Sequence, residues 1–438
     1  MDANAKKIVK TLRERHFQAY LVGGCVRDLL LGIHPQDWDI ATDARPEQII
    51  SLFKKTIPVG AKFGVVIVRL GGKNYEVATF RRDLDYADGR HPTRVEFSGP
   101  EEDARRRDFT INGMFYDPLR KKVLDFVAGE KDLKAGIIRA IGDPELRFAE
   151  DKLRMLRAVR FSARFNFPIE ANTAAAIKRH CREINEVSKE RICDELIDIF
   201  TRQNPDLGLR LMDQMGLLEV ILPEVSAMKG VAQPREFHPE GDVFEHTLLM
   251  LKQMKNPNLE LAFGVLLHDL GKPKTFRIAD RIRFDNHTTV GAEMSQKILK
   301  RLRFSNQQIK TIVSLVKEHL RFIDARKMRQ STLKRFLSLP DFDLHLELHR
   351  LDCIGSHNDL STYRFVKKHL SQFRKEQAKF KSKPKRLLTG DDLIQLGLTP
   401  GPIFRKILTA LEDAQLEGKI KSKEEAIKMA KKQAVFLI

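Results

Sequence analysis

Cysteine is scarce in this 438-residue sequence: Cys25, Cys181, Cys193 and Cys353 are the whole set of four, with no CxxC spacing among them. That excludes a disulfide-stapled framework and a zinc knuckle, and it fits reduced thiols in a cytosolic protein. No apolar run approaches the roughly 20 residues that a membrane span needs. The opening MDANAKKIVKTLRERHF is charged and helical and lacks the apolar core of an export signal. A cytoplasmic location without a membrane is therefore expected. A single tryptophan leaves little for an aromatic stacking platform, and no RRM or KH pattern is present. Acidic residues are outnumbered, 59 Asp+Glu against 78 Lys+Arg, which gives a formal charge of +19. Such an excess points to a polyanionic partner before any motif is read. Nothing in the pattern calls for a protein partner.

What is present changes along the chain. Residues 1 to about 140 alternate short strand-like runs (AYLVGG, WDIAT, GVVIVRL, NYEVATFRR) with helical segments. From about 143 onward strand signals nearly vanish, and apolar residues recur at three- and four-residue spacing. Eight of the 13 histidines then fall between 238 and 357: His238, His246, His268, His287, His319, His345, His349 and His357. A basic run from Lys367 to Arg386, broken by Pro384, precedes a last small helical unit. These shifts divide the chain into a head at 1–140, a helical neck at 141–234, a His-rich body at 235–360 and a basic tail at 361–438.

In LVGGCVRDLLLGIHPQDWDIAT, residues 21–42, a double glycine and Arg27 precede Asp37 and Asp39. Two carboxylates two apart on an extended run face one side, with Trp38 on the other. They repel unless a cation lies between them, and magnesium takes one or two carboxylates together with phosphate oxygens. Glycines allow backbone N–H groups close to phosphate, and an arginine fork matches phosphate geometry. An ordinary surface turn is the competing reading.

These residues resemble the head-domain signature of class II tRNA nucleotidyltransferases and bacterial poly(A) polymerases. In the same order, VGAKFGVVIV and YEVATFRRDLDYADGRHPTRVEF resemble the family's strand and flexible loop. EEDARRRDFTINGMFYDP resembles its RRD segment, GDPELRFAEDKLRMLRAVRFSARFNF its nucleotide-selecting helix, and VSKERICDEL its neck motif. The match covers about residues 18–200, and LTGDDLIQLGLTPGPIFRKIL resembles the end of many members. The resemblance implies an α+β fold: a polymerase-β-like nucleotidyltransferase head (a mixed sheet with helices) followed by an all-α neck, an HD-type body and a tail. It also implies metal-dependent transfer from CTP and ATP to a tRNA 3′-hydroxyl, with pyrophosphate leaving. Asp37 and Asp39 would hold Mg²⁺, and Gly24 and Arg27 the triphosphate. Glu76 is a candidate third carboxylate or a solvated strand acid.

On a continuous helix through EDKLRMLRAVR, Asp151, Arg154 and Arg157 follow at i, i+3, with Arg160 on the flank. A carboxylate only accepts hydrogen bonds and a guanidinium only donates. Cytosine and adenine each offer an amino donor beside a ring-nitrogen acceptor, which suits the pair. Guanine and uracil present the reverse order and would leave buried groups unpaired. The family assigns this base-reading role to the positions of Asp151 and Arg154. Arg107, Arg157 and Arg160 match further nucleotide-contacting positions, while Arg106 and Asp108 complete the RRD triplet. A solvated ion-pair face is the bland alternative.

His246 in FEHTLLML, the adjacent His268 and Asp269 in LLHDLGKP, and Asp352 in RLDCIG resemble the HD phosphohydrolase ligand set, over about 238–360. That implies a divalent metal. His287 and His319 match extra positions of members with two metals. The tRNA is expected to lie against phosphate-binding lysines and arginines of Lys367–Arg386 and against the helix start at TPGPIFRK. The expected activity is CCA addition. An enzyme adding only A, one adding only CC, and a poly(A) polymerase are the alternatives in the same class. A metal-dependent HD phosphohydrolase with a nucleotide-sensing head is the alternative from another class.

Overall fold

A computed structural model describes residues 1–58, 64–86, 92–234, 236, 238–378 and 386–437. The stretch 59–63 of the matched VGAKFG segment, the tip of the long loop at 87–91, and the linker 379–385 with Pro384 lie outside the described residues. The chain forms two compact units: residues 1–226 with 301–303, and residues 227–300 with 304–438.

The first unit is built on a mixed sheet. Its strands are β1 (Ala19–Val22), β2 (Asp39–Thr42), β3 (Thr56–Ile57), β4 (Val65–Leu70) and β5 (Lys73–Thr79). A separate ribbon of β6 (Arg81–Tyr86) and β7 (Pro92–Phe97) follows, and β8 (Phe115–Asp117) and β9 (Lys122–Leu124) complete the sheet in the order β3-β4-β5-β2-β1-β8-β9. NYEVATFRR is thus not one strand: the chain leaves the sheet at Phe80, whose ring is fully buried. There it joins Tyr20, Val22, Ala41, Ala104 and Phe115 in an aromatic core. The helix Ala3–Glu14 is capped by the Asp2 carboxylate and buries Ala5, Ile8, Val9 and Leu12, the stripe that a 3.6-residue period predicts.

Register does the positioning. β1 and β2 pair antiparallel with Val22 opposite Asp39, so the glycines that follow Val22 lie beside the first residue of β2. β2 and β5 run parallel with Ile40 opposite Val77, which brings Glu76 alongside Asp39. Asp37 is exposed in the bend before β2, Trp38 is buried and Asp39 is half-buried, the alternation expected of an extended run.

Helices Pro144–Glu150, Arg154–Phe165, Ala171–His180, Lys189–Thr201 and Pro205–Gln214 follow in the same unit. The continuous helix expected through EDKLRMLRAVR does not form. Asp151 is extended (φ −148°, ψ 102°), and its carboxylate accepts from the Leu153 backbone N–H at the start of the next helix. A short acidic side chain competes with the helix for backbone donors, and here it ends one helix and opens another.

Among the described residues the second unit is mostly helical, and the sequence reading missed a hairpin in it. Phe276–Ile278 and Ile282–Phe284 form a two-stranded hairpin. Leu259–Leu267 is apolar almost throughout and buried from Leu261 to Leu267. Helices Val243–Gln253, Asn306–Glu318 and Phe342–Gly355 belong to the same unit, as does His287–Arg301 up to Lys300. At Gly271 a Cβ would lie 2.1 Å from the His287 carbonyl oxygen, so only glycine lets His268 and Asp269 come this close to that helix. The helix Ser361–Ala378 buries Val366, Leu370 and Phe373 and exposes Lys367, Lys368 and Lys375. The C-terminal helices share a small core around Leu393, Ile407 and Leu411. No helix among the described residues is long and apolar enough to cross a membrane.

Candidate active site and histidine cluster

In the first unit a cleft of about 450 Å³ opens between the sheet and the helix Arg154–Phe165. Gly23, Gly24, Arg27, Asp39, Arg107, Asp151, Arg154, Arg157 and Arg160 all line it, so most of the residues expected in the head site converge; Asp37 and the candidate Glu76 are not part of the lining. Arg106, Asp108, Asn112, Phe161, Arg164 and Arg191 complete the wall. Eight arginines against three aspartates make it a site for a polyanion. Gly23 adopts φ 71°, and a Cβ there would approach Arg107 Nη1 to 3.0 Å. Gly23 is therefore a conformational requirement at the cleft floor.

Asp39 is the perturbed acid. Burial and the negative charge of Glu76 push its pKa up to about 6, with Arg107 opposing and Asp37 adding to the rise. Carboxylates that crowd one another in this way are relieved by a cation, and the oxygen-only donor set suits a hard one. Arg107 Nη2 donates to the buried Asp103 at 3.0 Å, and Arg107 Nε is buried without a hydrogen-bond partner among the described residues. Arg27 is also buried. Its Nε and Nη2 donate to Asp28 at 2.8 and 2.7 Å, and its Nη1 donates to Asn112.

Asp151 and Arg154 both line the cleft; the Arg154 N–H donates to the Asp151 carbonyl oxygen at 3.0 Å, but no hydrogen bond joins their side chains. Arg191 donates from Nη1 to Asp151 Oδ1 at 3.1 Å and from Nη2 to Oδ2 at 2.7 Å. With the Leu153 N–H on Oδ1, three of the roughly four lone-pair sites of the carboxylate are taken, and the open one is on Oδ2. Arg154 donates from Nη1 to Arg147 O and Glu150 Oε2 and from Nη2 to Arg106 O. Nε and one Nη2 hydrogen are not used in those bonds. Asp108 accepts two bonds from Arg157 on Oδ2, at 2.9 and 2.6 Å, and on Oδ1 from Asn112 and the Phe109 N–H. Burial opposes that charge, but Arg157 outweighs it and holds the Asp108 carboxyl far below the usual range. Arg160 is paired with Glu195 at 2.8 Å and with Asp198 at 3.0 Å. Arg191, Asn112 and Glu195 were missed as site residues. Arg191 lies in VSKERICDEL, where only its spacing from Asp151 in three dimensions gives it a role.

In the second unit the expected ligands come together as two adjacent triads. His246, His268 and Asp352 form one, and Asp269, His287 and His319 the other; within each, the donor atoms lie within 4.8 Å of one another. Three of the imidazoles are held alike. Nδ1 of His268, His287 and His319 meets the carbonyl oxygen three residues earlier, of Val265, Phe284 and Val316, at 2.7–2.8 Å. Each ring thus spends its N–H on the backbone and turns a bare Nε2 inward. His268 Nε2 and His287 Nε2 are buried with no hydrogen-bond partner among the described residues. Buried, unsatisfied lone pairs beside carboxylates are what a cation would complete. Burial opposes charge on His246, yet Asp352 and Glu240 outweigh it and raise its pKa to about 9. Burial, reinforced by His268, lowers that of His319 to about 3. Lys272 Nζ lies 2.6 Å from Asp269 Oδ2 and also bonds the Gln233 amide oxygen; neither partner was expected.

Comparison with known proteins agrees with this geometry. The poly A polymerase head domain family matches residues 19–139, a probable RNA and SrmB-binding site of polymerase A matches 166–229, and the HD domain matches 243–341. A CCA-adding enzyme of Ligilactobacillus salivarius is 32% identical over 436 residues, covering 98% of this chain and 96% of that protein. Poly(A) polymerase I of Haemophilus influenzae is 38% identical over 237 residues, about half of each chain. Among solved structures, the Bacillus stearothermophilus CCA-adding enzyme in complex with CTP superposes with a TM-score of 0.75 at 25% identity, covering 99% of both chains. The Thermotoga maritima CCA-adding enzyme complexed with tRNA shares the fold, with a TM-score of 0.60 at 21% identity. With identity sustained over nearly its whole length, and head, RNA-binding and HD segments in one order, the chain belongs to the family of CCA-adding enzymes and poly(A) polymerases.

Proposed function

We propose that this chain is a CCA-adding tRNA nucleotidyltransferase that joins C, C and A from CTP and ATP to a tRNA 3′ end and releases pyrophosphate. The near-full-length similarity to a CCA-adding enzyme supports it, and one observation carries it to the residues. Asp151 and Arg154 stand in the same arginine-lined cleft as Asp39, with one acceptor site and two donors not otherwise engaged. That is what a base with one amino donor beside one ring acceptor requires, and cytosine and adenine both qualify.

Asp37 and Asp39 are the ligands for Mg²⁺, which when bound would acidify the attacking 3′-hydroxyl and neutralise charge at the α-phosphate. Gly24, Arg27 and Arg107 hold the triphosphate, and Arg157 and Arg160 line the nucleotide side. The protein's part is positioning: ion pairs fix the arginines before the nucleotide arrives, so little freedom is lost on binding. Within the chain, 1–140 serves as catalytic head, 141–234 as neck, 235–360 as HD body and 361–438 as tRNA-binding tail. The exposed lysines of Ser361–Ala378 meet tRNA phosphates, with a steep salt dependence expected. The site of action is the cytoplasm.

Purified protein would be given tRNAs ending before CCA, after C and after CC, with CTP and ATP in turn. Ordered addition of C, C and A supports the proposal. Addition of A only, onto the CC end, makes the protein an A-adding enzyme, and CC without A makes it CC-adding. Repeated A on any RNA makes it a poly(A) polymerase, and no incorporation at all overturns nucleotidyl transfer. A second reading is favoured by the histidine cluster: a divalent metal at His246, His268 and Asp352, with Asp269 3.1 Å from His268, gives the body a phosphohydrolase activity of its own.

A further inference from the structure

His246 is the exception among the four imidazoles of the cluster. Its Nδ1 lies 2.8 Å from a Glu240 carboxylate oxygen and 3.3 Å from Gly355 O, while its Nε2 lies 3.1 Å from Asp352 Oδ1. The Glu240 side chain is only 8% exposed, and the same oxygen is 3.0 Å from His238 Nδ1. Glu240 is held in place by a closed loop base: Ala232 bridges Asp242, Gln233 N–H donates to Gly241 O, and Val243 N–H donates to Val231 O. His238, Glu240 and His246 lie close enough to be taken for a third metal triad. The protonation of one ring argues otherwise. A cation held between His246, His268 and Asp352 takes Nε2 and leaves the ring proton of His246 on Nδ1, toward Glu240, and a nitrogen that bears hydrogen is not a ligand.

We propose that Glu240 is a positioning residue for the cluster. Its carboxylate takes the Nδ1–H of His246, fixes the tautomer, raises the basicity of Nε2, and makes His246–His268–Asp352 the tighter of the two cation sites. A carboxylate behind a liganding histidine does this generally. The other triad has no such support, and the Lys272 ammonium 2.6 Å from Asp269 already supplies positive charge there, which opposes a cation. The proposal rests on the metal-binding reading of the cluster.

The test titrates the chelator-stripped full chain with Co²⁺, followed by visible absorption, in an Asp39→Asn background that weakens the head site. The unsubstituted cluster is expected to show one tight and one weak class. Glu240→Ala should weaken the tight class by about 10–100-fold and shift its bands, with the weak class unmoved. Glu240→Gln, whose amide oxygen still accepts from Nδ1–H, should recover most of the loss, and melting curves confirm that each variant is folded. Unchanged Co²⁺ affinity in a folded Glu240→Ala, or equal loss in both classes, overturns the proposal. Absence of Co²⁺ binding before any change at Glu240 overturns the metal-binding reading itself.

Discussion

The cleft of the first unit and the histidine cluster of the second are both lined by buried polar groups, but they treat them in opposite ways. In the cleft nearly every charge is partnered: Arg157 by Asp108, Arg160 by Glu195 and Asp198, Asp151 by Arg191, Arg27 by Asp28. In the cluster, lone pairs of His268 and His287 converge with no donor to meet them. A site for an anion can be pre-assembled by internal ion pairs, because an arginine has five donors and keeps some for the ligand. A site for a cation cannot be satisfied in advance without filling it, so its lone pairs stay bare. The comparison shows how ligand charge can be read from which kind of atom is left over.

Four measurements would break or sharpen that contrast. Asp37→Asn with Asp39→Asn should cost the most, roughly a thousandfold or more in nucleotide incorporation, because several kcal/mol of charge stabilisation at the phosphate goes with the metal. Near-normal incorporation would remove these carboxylates from the chemistry. Next is Asp108→Asn, which leaves Arg157 only the more distant Glu195 carboxylate, at 3.7 Å, as a counter-charge. Loss of one partner of a buried pair should lower stability by about 2–3 kcal/mol, discounted for the partial exposure of Arg157, as read from the urea midpoint. An unchanged midpoint would mean that the pair does not organise the cleft.

Third, Arg191→Ala should loosen Asp151, raising incorporation of UTP and GTP relative to CTP and ATP by about tenfold to a hundredfold, as misplacement within a site does. Asp151→Ala with Arg154→Ala should abolish the discrimination altogether, and selectivity that survives the double change would rule out side-chain templating. The smallest effect concerns pH. Burial lowers His345 and His349 to about 4 from an ordinary value near 6.5. The unfolded chain then binds protons that the folded chain refuses, so their contribution is complete above pH 6.5 and is lost as pH falls towards 4. The slope is at most about 1.4 kcal/mol per pH unit per group. Melting of His345→Leu across that window should show a shallower acid loss, and an equal slope would exclude His345 as a source.

Much of the site was legible because it is local. Gly24, Arg27, Asp37 and Asp39 fall within one strand–turn–strand segment, and His268 and Asp269 are neighbours in the chain. The helix break at Asp151 was not legible, since periodicity from 153 to 165 continues the apolar pattern on both sides and only a side-chain bond to the Leu153 N–H shows the interruption. The hairpin at Phe276–Ile278 and Ile282–Phe284 was hidden for a related reason: its strands are three residues long, one exposed throughout and the other half-buried throughout, so neither carries an alternating burial pattern.

The sequence by itself determined which chemical groups were available and in what local order: a glycine pair before two aspartates, an acid before three arginines, and an His-Asp dipeptide among scattered histidines. Tertiary structure alone decided how they are shared out. Arg191 reaches Asp151 across 40 positions, and Glu240 and Asp352 grip opposite nitrogens of His246. A hydrogen bond depends on a few tenths of an ångström and on direction, and sequence spacing specifies neither once the partners lie on different helices.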